Sequence, residues 1–319
     1  MSVSDDAGRA GAGDVPTPDA RPRRPLRRYA DVAGTTGSGI QEQVLAQRDR
    51  LVERLAGVGA VVVIVSGKGG VGKSAVTANL AVALAARGAR VGVLDADLNG
   101  PSLGMMLRLT RGDLSEGPDG ITPARGVHGV VGVSMDLFLD EGAPLAWKGP
   151  VSDRFVWQGV SETAALREFL SDVDWGALDY LLVDVPPGTD KIGRFLDLVP
   201  HPDQGVLVTI PSPVAASVVA RSATALREAG LPALGVVGNM SGYAPAGLDA
   251  RPLFAGARAP DAASALGLEV WAEIPFDPEL GARTDAGVPP GGEGDSPASR
   301  AFAALALRVE RGPGGREAP

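Results

Sequence analysis

The sequence contains no cysteine, which removes disulfides, thiolate nucleophiles and every zinc or iron–sulfur site built on Cys ligands. No iron–sulfur cluster is therefore expected on the chain's own residues. Histidine is almost as scarce. His128 and His201 are the only two, far apart and without metal-ligand spacing, so both read as surface or core residues rather than ligands. Positive charge is in deficit: 30 Lys and Arg stand against 38 Asp and Glu, a formal net charge of −8. Such a chain lacks the clustered cations that neutralise a phosphate backbone, and nucleic acid is not an expected partner. Long apolar runs are missing too. No stretch approaches the roughly 18 residues needed to span a bilayer, and the first residues lack the apolar core of a secretion signal. Residues 297–310 carry only Arg300 and Arg308, opposed by Glu310, which is too little positive charge for a membrane-surface helix. The expectation is a soluble cytoplasmic protein.

What is present suits one large core: 319 residues, 45% of them hydrophobic, the size of an ordinary α/β sheet domain. Residues 1–39 are rich in Gly, Pro, Ala and charge with almost nothing to bury, and read as a disordered arm. Within it Arg21, Arg23, Arg24, Arg27 and Arg28 lie between prolines; they suit either a solvated arm or an anchor for an acidic partner, lipid or nucleic acid. A single domain is expected over 40–312, with a lead-in helix at 40–56, a core at 57–290, a C-terminal helix at 297–310 and a tail at 313–319. Ile40, Val44, Leu51 and Leu55 place one apolar face on the first helix, and Phe302, Leu305 and Val309 do so on the last. Residues 286–297 look like a linker.

The centre of the chain is Val61 to Ser74. Five β-branched residues in a row, Val61 to Val65, suit a strand covered on both faces, as in a parallel sheet. The strand runs straight into Gly67, Lys68, Gly69, Gly70, Val71, Gly72, Lys73 and Ser74, which fits the phosphate-loop spacing G-x-x-x-x-G-K-[ST] with a strand before it and an Ala-rich helix after it. Glycines let successive backbone N–H groups converge on phosphate oxygens, and the helix adds its own unpaired N–H groups and positive dipole end. Lys73 would meet the β- and γ-phosphates and Ser74 would hold Mg²⁺. The site thus predicts ATP and Mg²⁺ as ligands.

Other strands end at this same edge. Val91 to Leu94 leads to Asp95 and Asp97, at the carboxyl end where open α/β sheets bind ligands. The two acids are either helix caps or, for Asp97, the group that orients an attacking or metal-bound water. Tyr180 to Asp184 is an apolar strand ending in an acid, the Walker B arrangement whose carboxylate, Asp184, holds Mg²⁺ through water. Pro186-Pro187-Gly188-Thr189 makes a stiff loop with one glycine pivot, suited to sensing a γ-phosphate. Val206 to Ile210 and Leu234 to Val237 add two strands, with a helix at 214–229 between them. Asn239 follows the second, as a turn residue or as an amide able to pair with adenine. Glu269 to Ile274 is the last strand. Residues 110–129 are polar and glycine-rich, ahead of a strand at Val130 to Val133. Helix is expected over 151–170, interrupted near Gly159, its aromatics serving either the core or an interface. The fold class that results is α/β: a three-layer P-loop NTPase with a mostly parallel central sheet flanked by helices on both faces.

The loop Gly-Lys-Gly-Gly-Val-Gly-Lys-Ser, with its additional Lys68, resembles the deviant Walker A loop of the MinD/ParA/nitrogenase-iron-protein group. Asp95-Ala96-Asp97-Leu98-Asn99-Gly100-Pro101-Ser102, Trp147-Lys148-Gly149-Pro150 and Val173-Asp174-Trp175-Gly176 are similar to segments of its Mrp/ApbC branch, ATPases described as iron–sulfur cluster carriers. The likeness spans about residues 57–290. It implies an ATPase acting as a nucleotide-gated homodimer, in which Lys68 reaches the partner subunit's phosphates as a catalytic cation. It also implies that Asn239 reads adenine and that Pro275, in Pro275-Phe276-Asp277-Pro278, lies beside the base. Two departures stand out. Asp190 follows Thr189 directly where the branch has P-P-G-T-G-D, and Ala244-Pro245-Ala246-Gly247 stands where it has C-P-x-C. Two other readings belong beside the ATPase: a MinD/ParA-like positioning or adaptor protein, and a scaffold that binds ATP without hydrolysing it. The protein partner is unidentified.

Overall fold

In a computed structural model, the structure describes residues 49–312 apart from 99, 118–119, 139–165, 168–169, 197, 200–201, 233, 244–250 and 255–257. The arm and tail, the start of the lead-in helix, the Trp147 turn, most of 151–170, His201 and the Ala244–Gly247 stretch lie outside the described residues. Residues 49–55 are helical, with Leu51 fully buried.

Eight strands share one sheet. They are β1 (Val58–Val65), β2 (Val91–Asp95), β5 (Ala124–Arg125), β6 (Val131–Val133), β7 (Leu178–Asp184), β8 (Gln204–Thr209), β9 (Leu234–Asn239) and β10 (Glu269–Ile274). Their order is β10-β9-β8-β1-β7-β2-β6-β5. Every neighbouring pair is parallel except the antiparallel edge pair β5 and β6. The interior strands are apolar along their length because both faces are covered: Val62 to Val65 and Leu181 to Val183 are wholly buried. Parallel pairing aims all the interior carboxyl ends at one edge. In β1 and β7, Ile64 pairs with Asp184, and in β2 and β7, Asp95 pairs with Asp184. The phosphate loop, both strand-end acids and Asn239 therefore gather at that edge by topology alone.

The helices are α1 (Lys73–Ala86), α2 (Leu103–Leu107), α3 (Thr189–Leu196), α4 (Pro213–Glu228), α5 (Ala259–Ala265), α6 (Pro278–Asp285) and α7 (Pro297–Glu310). Together with the sheet they form the mostly parallel α/β architecture expected from the strand pattern. Helix α1 is small and apolar, with Ala78, Leu80, Ala81, Val82 and Leu84 all buried, so it packs on several sides instead of showing one polar face. Gly88, at φ 94°, ends it. Helix α7 buries Phe302, Leu305 and Val309 as its periodicity requires.

Two segments differ from the sequence reading. Residues 110–129 include a hairpin, β3 (Ser115–Gly117) with β4 (Gly120–Thr122), whose short polar strands carry no alternating apolar pattern. Residues 286–297 are not a free linker. The Gly291 N–H donates to Asn79 Oδ1 at 3.0 Å, and a Cβ on Gly291 would lie 2.8 Å from the Ala83 nitrogen. A Gly/Pro-rich stretch can pack backbone to backbone without apolar side chains, which is why its composition hides its burial.

Candidate functional site

The loop between β1 and α1 is shaped by four glycines in different ways. Gly72 has φ 81°, a left-handed conformation, and a Cβ there would lie 2.4 Å from Asn239 Nδ2. Gly67 is crowded from below, since its Cβ would fall 1.8 Å from Val218 Cγ1 of α4. Gly69 and Gly70 have nothing within 4 Å of a Cβ position, so the outer face of the loop is open. A closed underside with an open outer face is the shape that a chain of phosphates requires.

Below the loop lies Asp184, fully buried at the end of β7. Lys73 Nζ stands 2.6 Å from its Oδ1, the Ser74 hydroxyl donates to Oδ2 at 2.5 Å, and the Thr77 hydroxyl donates to Oδ1 at 2.9 Å. Lys73 is itself buried, at 6% exposure, and its ammonium lies off the direction of an aligned hydrogen bond. An ammonium kept from water with unused N–H groups is a cation held for an anion that must come close, and a phosphate fits it. The Ser74 hydroxyl and Asp184 carboxylate are hard oxygen donors set side by side, the ligand type that Mg²⁺ takes in phosphate sites. The residues present thus fit both the nucleotide and the metal.

Of the two strand-end acids, Asp95 takes the capping role that the sequence left open. Asp95 is buried and caps the chain after β2: its Oδ2 accepts from the N–H groups of Ser102 and Leu103 at 2.8 and 3.0 Å and from the Ser134 hydroxyl at 3.0 Å, and its Oδ1 accepts from the Asp97 N–H at 3.1 Å. Burial first, then the neighbouring Asp184 charge, push its carboxyl up to about 7 against the pull of those backbone N–H groups and of Lys73. Asp97 is only partly buried and sits on the turn that Asp95 holds.

On the other side of the loop, one amide proton of Asn239 goes to the Val71 carbonyl at 2.9 Å, so Asn239 braces the phosphate loop. Ile274 pairs with Asn239, and Pro275 follows Ile274 in the chain. The Ser241 N–H donates to the Ile274 carbonyl at 3.0 Å and the Phe276 N–H to the Gly242 carbonyl at 2.7 Å. Tyr243 and Phe276 meet edge to face at 5.8 Å. Asp277 caps α6 by accepting from the N–H groups of Glu279 and Leu280. Lys68 is partly exposed at the rim; its carbonyl accepts from the Ser66 hydroxyl at 3.0 Å. The Gly188 N–H donates to the Ser66 carbonyl at 3.2 Å, which ties the Pro186–Thr189 loop to the base of the phosphate loop. Thr77 escaped the sequence reading. Its only signal was its place one helical turn after Lys73 and Ser74, facing the same side of α1.

A family model described as ParA, the NUBPL iron-transfer P-loop NTPase, matches residues 57–310. An iron-sulfur cluster carrier protein of Methanocaldococcus jannaschii is 38% identical over 252 residues, covering 78% of this chain and 83% of that protein. The cytosolic Fe-S cluster assembly factor NUBP2 of Bos taurus is 38% identical over 232 residues, 71% and 82% of the two chains. Among solved structures, a nucleotide-binding protein of Archaeoglobus fulgidus in complex with ADP superposes with a TM-score of 0.64 at 33% identity, covering 78% of this chain and 94% of that one. The cell division ATPase MinD of Pyrococcus furiosus superposes with a TM-score of 0.55 at 26% identity, covering 79% and 99%.

Proposed function

The chain belongs to the NUBPL iron-transfer P-loop NTPase family of the ParA type, and from that premise we propose that it binds ATP with Mg²⁺, hydrolyses it and works as a nucleotide-gated homodimer. The observation that carries this reading is the cluster of buried Lys73 and Asp184 with half-buried Ser74 beneath an open glycine loop. Lys73 turns from Asp184 to the β- and γ-phosphates, and the loop amides take the remaining oxygens. Ser74 and Asp184 would hold Mg²⁺, which when bound would neutralise charge developing on those phosphates. Asp97 orients the attacking water on a turn that Asp95 fixes. Lys68, at the open rim, serves the phosphates of the second subunit, where a cation is needed only once the dimer has closed.

The iron-linked cargo of the family is a separate question. A cluster is held chiefly by Cys thiolates, and this chain has none. Among the described residues no group of three or more His, Asp or Glu could replace them. The residues do not fit a cluster, and no step is assigned to one. The MinD likeness supports a second reading, a positioning or adaptor protein in which turnover only times the binding of a partner.

Calorimetry with Mg-ATP and ATP-dependent sedimentation on the parent, Lys73→Ala and Lys68→Ala test the proposal together. Lys73→Ala should abolish measurable binding. Lys68→Ala should keep ATP affinity but lose dimerisation and most hydrolysis. A parent that binds ATP, never dimerises and never hydrolyses it would leave only a scaffold.

A further inference from the structure

Asp184 has more partners than a magnesium-holding carboxylate needs at any one moment. Its Oδ2 accepts from Ser74, while its Oδ1 takes both the Lys73 ammonium at 2.6 Å and the Thr77 hydroxyl at 2.9 Å. Thr77 is fully buried on α1, and a buried Thr in a helix commonly back-bonds to the carbonyl four residues earlier. That acceptor is within reach here, since the Lys73 carbonyl lies 3.1 Å from the Thr77 hydroxyl. The hydroxyl has a single proton, however. The Lys73 carbonyl already serves the helical ladder, whereas a buried carboxylate oxygen is the stronger acceptor and the costlier one to leave unpaired.

We propose that Thr77 is a positioning residue for Asp184, one that holds Oδ1 when Lys73 leaves it for a phosphate and so keeps Oδ2 turned toward Ser74. This role rests on the Mg-ATP reading above and goes beyond it. The geometry has two states. With no phosphate present, Lys73 and Thr77 share Oδ1. Once Lys73 has turned to the nucleotide, Oδ1 would be a fully buried carboxylate oxygen without a donor, free to rotate out of register, were the Thr77 hydroxyl not there. Ser74 and Thr77 stand on one face of α1, three residues apart, so a single rigid helix grips both carboxylate oxygens. Lys73, on the same helix, is the only one of the three partners on a long flexible stem, and the only one that moves.

The test uses Thr77→Val, which keeps the shape and removes the hydroxyl, and Thr77→Ser, which restores it. ATP affinity is measured by calorimetry in chelator and across a series of Mg²⁺ concentrations. Expected is an unchanged affinity in chelator for both variants, with the valine needing about tenfold more Mg²⁺ for half of the metal-dependent gain, as loss of an outer partner of a metal ligand does. The serine should return the requirement to that of the parent. Thr77→Ala carries the same comparison if the valine does not fold. A valine or alanine variant whose Mg²⁺ requirement matches the parent overturns the role of Thr77 alone. A parent whose ATP affinity ignores Mg²⁺ overturns the metal reading itself, and this role with it.

Discussion

At Asp95 the carboxylate is drawn two ways, toward neutrality by burial and the Asp184 charge and toward ionisation by the N–H groups of Ser102 and Leu103. Burial prevails and raises the carboxyl from 3.8 to about 7. The consequence for stability has a definite sign. Below the unfolded value both states hold the proton and the contribution is complete; between there and about 7 the unfolded chain gives up its proton first, so stability falls as pH rises through that window and then levels. Asp95→Asn removes the titration and should flatten the slope, which a series of melting temperatures from about pH 5 to pH 8 would detect. An unchanged slope would assign the proton to another group. At this scale the sequence is uneven. Lys73, Ser74 and Asp184 are legible because the loop spacing and a strand-end acid demand them. Asn239 as a brace for Val71 is not, and neither is Thr77 on Asp184, because their partners lie 168 and 107 positions away and neither motif nor periodicity links such distances.

Among the elements, the interior strands are the readable part: strands buried on both faces write themselves as unbroken apolar runs. The elements between them are less so. Helix α6 is short, and the hairpin of β3 and β4 is polar. The segment after α6 is held by a contact that composition cannot show. Buried Asn79, in the middle of α1, donates to the Ala75 carbonyl and to Thr284 Oγ1, each at 2.9 Å, and accepts from the Gly291 N–H at 3.0 Å. One amide thus sews the phosphate-loop helix to α6 and to the turn beyond it. Asn79→Ala would leave the Gly291 N–H buried without an acceptor, at a cost of roughly 1–3 kcal/mol. Urea denaturation should show a lower midpoint with an unchanged slope. Equal midpoints for variant and parent would mean that water or a backbone shift satisfies Gly291, and that the segment docks by shape alone.

For the molecule as a whole, symmetry decides what a dimer can add. Two copies of a chain can complete a site that one copy lacks, as Lys68 does in the proposed ATPase, but they cannot supply a residue type absent from both. Doubling a sequence without cysteine gives an assembly without cysteine, so closure of a homodimer creates no thiolate site at its centre. Oxygen and nitrogen ligands would have to do that work, and they favour harder metals over sulfide clusters. Anaerobic reconstitution of the purified chain with iron and sulfide, with and without Mg-ATP, should therefore give no cluster absorbance above a protein-free control. Adding ATP should change the oligomeric state and leave the spectrum flat. The two readouts separate the nucleotide cycle from the cargo: dimerisation without a cluster is the result expected of an ATPase whose own residues take no part in iron binding. A stoichiometric cluster on the parent chain would overturn that separation, and would require oxygen or nitrogen ligands, since the sequence provides no thiolate.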